Sequence, residues 1–308
     1  MQSTLIIHNP VAGAGLAARR WKKFQVVLQQ AGYDYEDQIT EHPGHAIQIA
    51  SEALASGYRR LAVFGGDGTL NETLQGIMAH QSFIDEVLLT FLPAGSSCDF
   101  ARLYPKGKSL LQRLTSGDEF IVDVCFVEGR DEDGGPTRRY FLNNSSIGII
   151  SLAGVKFAQP GPFINWLKKI SVDAAAVSAG LSAISTFTPI DGSLAVDGSH
   201  QTSTSMTNIT VFKTPFFGGG MHYGTETRLD DGTLYVATIA ATSRGRLVRL
   251  MPTLYSGTTF EKPEADLIKC SSLRFETDEP GYIETDGEMA GLTPAKYGIL
   301  PRTLKVIM

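Results

Sequence analysis

Two rhythms of apolar and polar positions divide the chain. Thr4–His8 is a short run of β-favouring residues that empties into Asn9-Pro10-Val11-Ala12-Gly13-Ala14-Gly15. Over 16–31 apolar residues recur at helical spacing (Leu16, Trp21, Phe24, Leu28), and Gly32 supplies a C-terminal stop. The pattern then predicts strands over 33–40, 60–64 and 87–92 and helices over 45–56 and 71–79. Strands alternating with helices at this interval predict βαβ units and a parallel sheet. Past Glu119 the rhythm changes to strands over 120–127, 138–145, 194–197, 205–213, 233–240, 267–275 and Tyr282–Thr285. Turns such as Val196-Asp197-Gly198-Ser199 and Asp230-Asp231-Gly232 separate them, which predicts antiparallel pairing. Helical inserts are expected over 164–185 and Arg244–Ser256, and 300–307 reads as a closing strand. The polar stretch 129–136 reads as a solvated hairpin loop, with too few oxygen ligands at set spacing for calcium.

The densest chemistry lies where the third strand ends, at Gly65-Gly66-Asp67-Gly68-Thr69-Leu70-Asn71-Glu72. Glycines here let another molecule approach the backbone, and the following helix start directs N–H groups and positive potential into the same space. An anion such as phosphate suits those donors. Asp67 in the same turn would repel it unless a metal ion or a sugar hydroxyl stood between. The stretch therefore reads as a nucleotide-phosphate and Mg²⁺ turn rather than a plain chain reversal. In an open parallel sheet, the loops after Asn9, Gly65 and Pro93 emerge at the carboxyl edge, where ligands bind, together with Thr40.

A second reading comes from Gly13-Ala14-Gly15-Leu16-Ala17-Ala18, which fits a G-x-G-x-x-A dinucleotide loop with Glu36 and Asp37 downstream. Asn9-Pro10 makes that loop long for a tight pyrophosphate turn, and the 65–69 loop would be left without a role.

Composition narrows the partners. The 308 residues are 43% hydrophobic and 19% charged, as in a globular protein, and allow one large or two ordinary domains. With 27 basic against 32 acidic residues, no nucleic-acid partner is indicated. Cys98, Cys125 and Cys270 are far apart and odd in number, which reads as reduced thiols in a cytoplasmic protein. The N-terminal residues lack the form of a signal peptide. Residues 172–187 are too short to span a membrane and include Asp173, so contact with lipid is expected to be peripheral and transient. The six histidines have no metal spacing, and there is no G-x-S-x-G elbow.

The ordered set of loops resembles the diacylglycerol kinase catalytic-domain family, which includes sphingosine, ceramide and bacterial lipid kinases. Gly65–Glu72 is similar to its GGDGTxxE signature, Asn9–Gly13 to its N-P-x-S-G opening and Pro93–Ala101 to its P-x-G-T-x-N-D-F-A loop. Residues 141–148, Phe216-Phe217-Gly218-Gly219-Gly220-Met221, Leu229-Asp230-Asp231-Gly232 and Asp286-Gly287-Glu288 follow in the expected order. GGDGT alone would not discriminate, because NAD kinases and phosphofructokinases share it. The resemblance implies an α/β fold: a Rossmann-like nucleotide domain (1–118, with 295–308 returning to it), a β-rich antiparallel sandwich (119–294) and an active-site cleft between them.

It further implies ATP and Mg²⁺ as cofactors and a lipid, most readily diacylglycerol, as acceptor. ATP would touch Asn9, Thr40, Gly65, Gly66, Asp67, Gly68, Thr69, Leu70, Asn71, Glu72 and Ser96. Asp67 would engage the phosphates through Mg²⁺, Asp99 and Arg102 would extend that network, and Glu288 would accept the proton of the attacking hydroxyl. A structural Mg²⁺ would lie at Arg228, Asp231 and Thr233, the first and third through main-chain oxygens. Candidates for lipid contact are 161–166, the Ala/Ser-rich run to Phe187, and the basic cluster Arg19-Arg20-Trp21-Lys22-Lys23, which also reads as a solvated helix face. A homodimer is left open.

The chain also departs from the family pattern. Ala12 replaces Ser, Ser96-Ser97-Cys98 replaces T-G-N, and His222-Tyr223-Gly224 replaces a basic and proline-containing run. Three alternatives stay in view: a kinase of a soluble substrate of the NAD-kinase type, which shares the opening motif; a nucleotide- or lipid-binding member with impaired catalysis, motivated by the altered 96–98 loop; and the dinucleotide-dependent oxidoreductase.

Overall fold

The computed structural model describes residues 3–105, 107–158, 161–170 and 172–308. Residues 1 and 2 of the N-terminal reading and Ser171 of the expected 164–185 helix lie outside them.

Strands β1 (Thr4–His8), β2 (Tyr35–Ile39), β3 (Arg60–Gly65) and β4 (Leu88–Pro93) pair in parallel in the order β2-β1-β3-β4. Successive side chains on a strand point to opposite faces, and both faces of β1, β3 and β4 are apolar, whereas the edge strand β2 is polar. Ile6, Ala62 and Phe64 meet Trp21, Phe24 and Leu28 of α1 (Leu16–Gln30) on one side. Leu5, Ile7, Leu61 and Val63 meet α2 (His45–Ala55) and α3 (Asp67–Met78) on the other, through Ile49, Ala53, Leu74 and Ile77. A Cβ on Gly76 would stand 2.4 Å from the Ile47 carbonyl oxygen, so glycine is required for α2 and α3 to pack this closely. A short helix, α4 (Leu110–Thr115), was not expected from the pattern; a capping box between Ser109 and Gln112 starts it.

Helix α3 starts at Asp67, earlier than the periodicity indicates. Gly66 is its extended N-cap, and the Leu70 N–H donates to the Gly66 carbonyl at 3.0 Å. Asp67 thus heads a helix, where the dipole favours a carboxylate. Trp21 is buried, stacked 4.8 Å from the His8 ring and edge-on to Phe64, so the 19–23 cluster keeps only its cations at the surface. That corrects its reading as a tryptophan-bearing membrane contact.

The β-rich region begins with β5 (Glu119–Arg130), β6 (Pro136–Phe141), β7 (Asn144–Gly148), α5 (Ile149–Ala158), α6 (Pro162–Ile170) and α7 (Val172–Thr186). It continues with β8 (Ile190–Val196), β9 (Thr202–Phe212), β10 (Phe216–Phe217), β11 (Met221–His222), β12 (Leu234–Ala240) and α8 (Arg244–Ser256). β13 (Ala265–Cys270), β14 (Ser272–Thr277), β15 (Tyr282–Thr285) and β16 (Glu288–Ile307) complete it. Pairing among these strands is antiparallel, over a core of Val127, Phe141, Ile209, Val236, Phe275 and Tyr297.

Two expected strands are each broken by a carboxylate that takes backbone N–H groups. Asp286 accepts from residues 142–144, separating β6 from β7. Asp197 accepts from Ser271 at 2.8 Å and Ser272 at 2.9 Å, separating β13 from β14. The long strand β16 pairs antiparallel with β15, β14 and β5, and then parallel with β4 through Lys305–Ile307. One hydrogen-bonded sheet therefore runs from β13 to β2. Among the described residues, no helix is long and apolar enough to cross a membrane.

Candidate active site

Three loops at the carboxyl ends of β1, β3 and β4 touch through glycine. A Cβ on Gly95 would fall 2.5 Å from the Gly66 Cα. One on Gly13, where φ is +59°, would fall 2.9 Å from the Ala94 carbonyl oxygen. Side chains at these positions would force the loops apart. Gly65 lets Thr69 fold back against the turn, and the Asn9 amide donates to the Thr69 hydroxyl at 2.9 Å. Leu70 is buried beneath them, while Ser96 lies exposed on the third loop. Thr40 is buried at the end of β2, its N–H on the His8 carbonyl at 2.9 Å, one strand further from β3.

Asp67 sits among N–H donors. Its oxygens accept from the Asp99 N–H at 3.0 Å, the Phe100 N–H at 3.3 Å and the Asn143 amide at 3.5 Å. Burial raises its carboxyl above the usual range, against the pull of those amides. Asp99 is pushed up to about 6, first by burial and then by the charge of Asp67. Arg102 offsets part of this through Nε at 3.2 Å from Asp99 Oδ1. The Gly219 N–H donates to both Asp99 oxygens at 3.2 Å, and Arg102 donates to the Gly219 carbonyl, so the 216–221 hairpin leans on the Asp99 loop.

Asp286 is the hub on the opposite side. It accepts from the Asn71 amide at 2.9 Å, Leu142 N–H at 3.3 Å, Asn143 N–H at 3.1 Å and Asn144 N–H at 3.0 Å. Asn71 also donates to the Tyr140 carbonyl at 2.9 Å, which ties α3 to the β-rich region. Asp286 has φ +49° and the next residue, Gly287, φ +93°. This tight turn delivers Glu288 over α3, with Oε1 3.0 Å from the position a Cβ on Gly68 would take. Glu288 is an exposed residue, yet burial of its carboxyl and the charge of Glu72 raise its pKa, opposed by Arg139. Glu284, fully enclosed below the turn, accepts from the Gly287 N–H and is pushed up to about 8 by burial.

The structure thus brings together Asn9, Gly65, Gly66, Asp67, Gly68, Thr69, Asn71, Asp99, Arg102 and Glu288. Glu72 lies alongside, but its carboxylate is committed to the start of α2: it accepts from Gly44 N–H at 2.8 Å and Ala46 N–H at 3.1 Å. Asn143, Gly219 and Glu284 were not singled out from sequence. The first two stood inside quoted motifs, whereas nothing in the pattern marks Glu284 as buried. At the altered third loop, Cys98 adopts φ +50°, a region that suits the family's Asn better than Cys. Ser97 meets Gly219, 3.1 Å from where a Cβ there would be.

A buried carboxylate pair with like-charge repulsion suits a Mg²⁺ that arrives with a nucleotide. Mg²⁺ commonly takes one or two protein carboxylates plus substrate phosphates. Among the described residues there is no group of three or more His, Cys, Asp or Glu able to hold a metal. At the second expected metal site the residues do not fit a divalent ion. Lys213 Nζ donates to Asp231 Oδ1 at 2.5 Å and to the Thr233 carbonyl at 2.9 Å, and the Arg228 N–H donates to the Tyr235 hydroxyl at 3.3 Å.

The diacylglycerol kinase catalytic domain model matches residues 3–127, and the model described as a YegS C-terminal NAD kinase beta sandwich-like domain matches residues 163–308. The chain is 26% identical over 312 residues to a diacylglycerol kinase of Staphylococcus carnosus, covering 98% of this chain and 93% of that one. It is 24% identical over 304 residues to a diacylglycerol kinase of Mycobacterium tuberculosis, covering 97% and 93%. A crystal structure of a diacylglycerol kinase from Bacillus anthracis superposes with a TM-score of 0.70 at 22% identity, over 99% of this chain and 96% of that one. At that identity the likeness is one of fold.

Proposed function

Taking as premise that the chain belongs to the diacylglycerol kinase catalytic-domain family, and so is a phosphotransferase, we propose that it moves the γ-phosphoryl group of ATP to a lipid hydroxyl, most readily that of diacylglycerol. One observation carries the reading. Glu288, from the β-rich region, places Oε1 3.0 Å from where a Cβ on Gly68, in the phosphate turn, would stand. A transfer of this kind needs a donor turn and a proton acceptor facing one another, and this pair supports that geometry.

In this reading the nucleotide domain is Rossmann-like and the cleft between the two regions holds the reactants. The N–H groups of the 66–69 turn at the α3 N-terminus bind the phosphates, since those of Ala94 and Gly95 already donate to the Gly65 carbonyl. Asn9 orients Thr69, and Asp67 with Asp99 would hold Mg²⁺, which when bound offsets charge on the phosphate oxygens. Arg102 steadies Asp99 and links it to the 216–221 hairpin. Glu288, its carboxyl raised above the usual range by burial and the charge of Glu72, takes the proton of the acceptor hydroxyl. Asp286 and Glu284 hold the turn that presents it.

The acceptor side is supported by α6 and α7. Phe163 and Trp166 are 62% and 56% exposed and stack on one another, and Val177 and Leu181 are exposed nearby in sequence. Exposed aromatics of this kind suit the interface of a lipid surface.

The test is a labelled-phosphate transfer assay from Mg²⁺-ATP to diacylglycerol, sphingosine and ceramide in mixed micelles, with NAD as a soluble control. Labelled phosphatidate is expected. Label on none of the lipids would overturn the reading, and label on NAD alone would replace it with the soluble-substrate kinase. Glu288→Gln should lower kcat by roughly 100-fold or more while nucleotide binding by calorimetry persists. Turnover near that of the unaltered protein would put the base elsewhere.

A further inference from the structure

The second expected metal position contains an amino group. Lys213 follows β9, is 0% exposed, and its N–H donates to the Asn143 carbonyl at 2.7 Å. Its ammonium has three N–H donors and meets three acceptors: Asp123 Oδ2 at 2.7 Å, Asp231 Oδ1 at 2.5 Å and the Thr233 carbonyl at 2.9 Å. We propose that Lys213 is a built-in cation that takes the place of a divalent ion at the 228–233 turn, so that this part of the fold needs no metal.

The remaining oxygens around the ammonium are also occupied. Asp123 Oδ1 accepts from the Arg302 N–H at 2.7 Å, and Oδ2 accepts in addition from the Gly232 N–H at 2.8 Å. Asp231 Oδ2 accepts from the Tyr235 hydroxyl at 2.7 Å, and Oδ1 accepts from the Thr233 N–H at 3.0 Å. The Tyr235 ring lies 5.7 Å from Nζ, near enough for a favourable cation–π contact. A divalent ion would have to take oxygens already bonded to Lys213 and would sit beside a like charge. Burying an ammonium is costly unless it is paired, and the two carboxylates provide that pairing. The cluster joins β5, the end of β9, the 229–233 turn and β16 at Arg302.

The inference does not rest on the kinase reading, because its test uses no substrate. Thermal unfolding of the nucleotide-free protein should give the same Tm in EDTA and in millimolar Mg²⁺. Lys213→Ala should have a clearly lower Tm in EDTA, recovered in part by Mg²⁺, with the recovery lost when Asp231→Asn is added. An undiminished Tm for Lys213→Ala in EDTA would overturn the proposal. Should that variant not fold, Mn²⁺ binding to the nucleotide-free protein, followed by electron paramagnetic resonance, decides the matter. Binding that is unaffected by Asp231→Asn supports the built-in cation. One equivalent of Mn²⁺ that is lost in Asp231→Asn but kept in Asp67→Asn overturns it.

Discussion

Glu288 Oε1 rests 3.0 Å from the place where Gly68 would carry a Cβ, so the smallest side chain in the phosphate turn sets how closely the proposed base can approach. Gly68→Ala is expected to separate two effects. The atom met is the tip of a flexible side chain, so the fold survives, and alanine in a helix is favoured over glycine by up to ~1 kcal/mol. The displaced carboxylate should lower kcat by roughly 10- to 100-fold. An unchanged or higher Tm with reduced turnover is the expected result, and an unchanged kcat would remove the contact from the mechanism.

Glu72 belongs to the family's nucleotide signature, yet both of its oxygens hold the first N–H groups of α2. Its loss resembles loss of a helix cap, so Glu72→Ala should cost about 1–2 kcal/mol in stability. Calorimetry on the folded variant should find nucleotide affinity little changed. A large loss of affinity with normal Tm would show that the carboxylate acts on the ligand.

Glu284 predicts a pH dependence. Burial lifts its carboxyl from 4.5 to about 8. Between those values the folded chain keeps a proton that the unfolded chain has released, so this group's contribution falls as pH rises and levels off above the folded value. Glu284→Gln retains an acceptor for the Gly287 N–H and removes the ionisation. The Tm of Glu284→Gln relative to the unaltered protein should therefore rise steadily from pH 5 to pH 8. A Tm difference independent of pH would be inconsistent with this account.

Cys98 sits at φ +50° in the altered third loop. Asn adopts that region more readily, and Cys98→Asn should stabilise by about 1 kcal/mol, read as a Tm increase of a few degrees. The Sγ contact to the Gly65 carbonyl, at 3.8 Å, is too weak to offset it. A lower Tm would mean that the thiol packs better than its backbone angle indicates.

Much of the N-terminal half was legible because β1, β3 and β4 are short apolar runs that open into glycine-bearing loops. Thr4–His8 and Arg244–Ser256 match their elements residue for residue. Legibility failed where a distant carboxylate edits the local pattern. The single strand expected over 138–145 becomes two because Asp286 captures three successive N–H groups, and no local signal marks that event. α3 starts early for a related reason, since the glycines that suggest a turn also fit a helix N-terminus anchored by Gly66. Motif order singled out Asp67, Asp99 and Glu288, and the fold places Asp99 beside Asp67 and Glu288 over Gly68. Lys213 escaped notice because a lone lysine after a β-run looks like any surface lysine until Asp123, far from it in sequence, is brought alongside.

β16 carries a consequence for how the protein can be made. Its last paired residues, Lys305–Ile307, fill an interior position of the N-terminal sheet, between Leu88–Thr90 of β4 and the start of β5. During synthesis the N-terminal strands must wait with β4 unpaired on that side until a segment far along the message has been translated. Sheets closed by such distant partners form slowly, and open edges invite pairing with other chains. A ribosome stalled before codon 305 would therefore hold an N-terminal sheet that is built but unsealed, and that nascent chain is the form of this protein most in need of a chaperone.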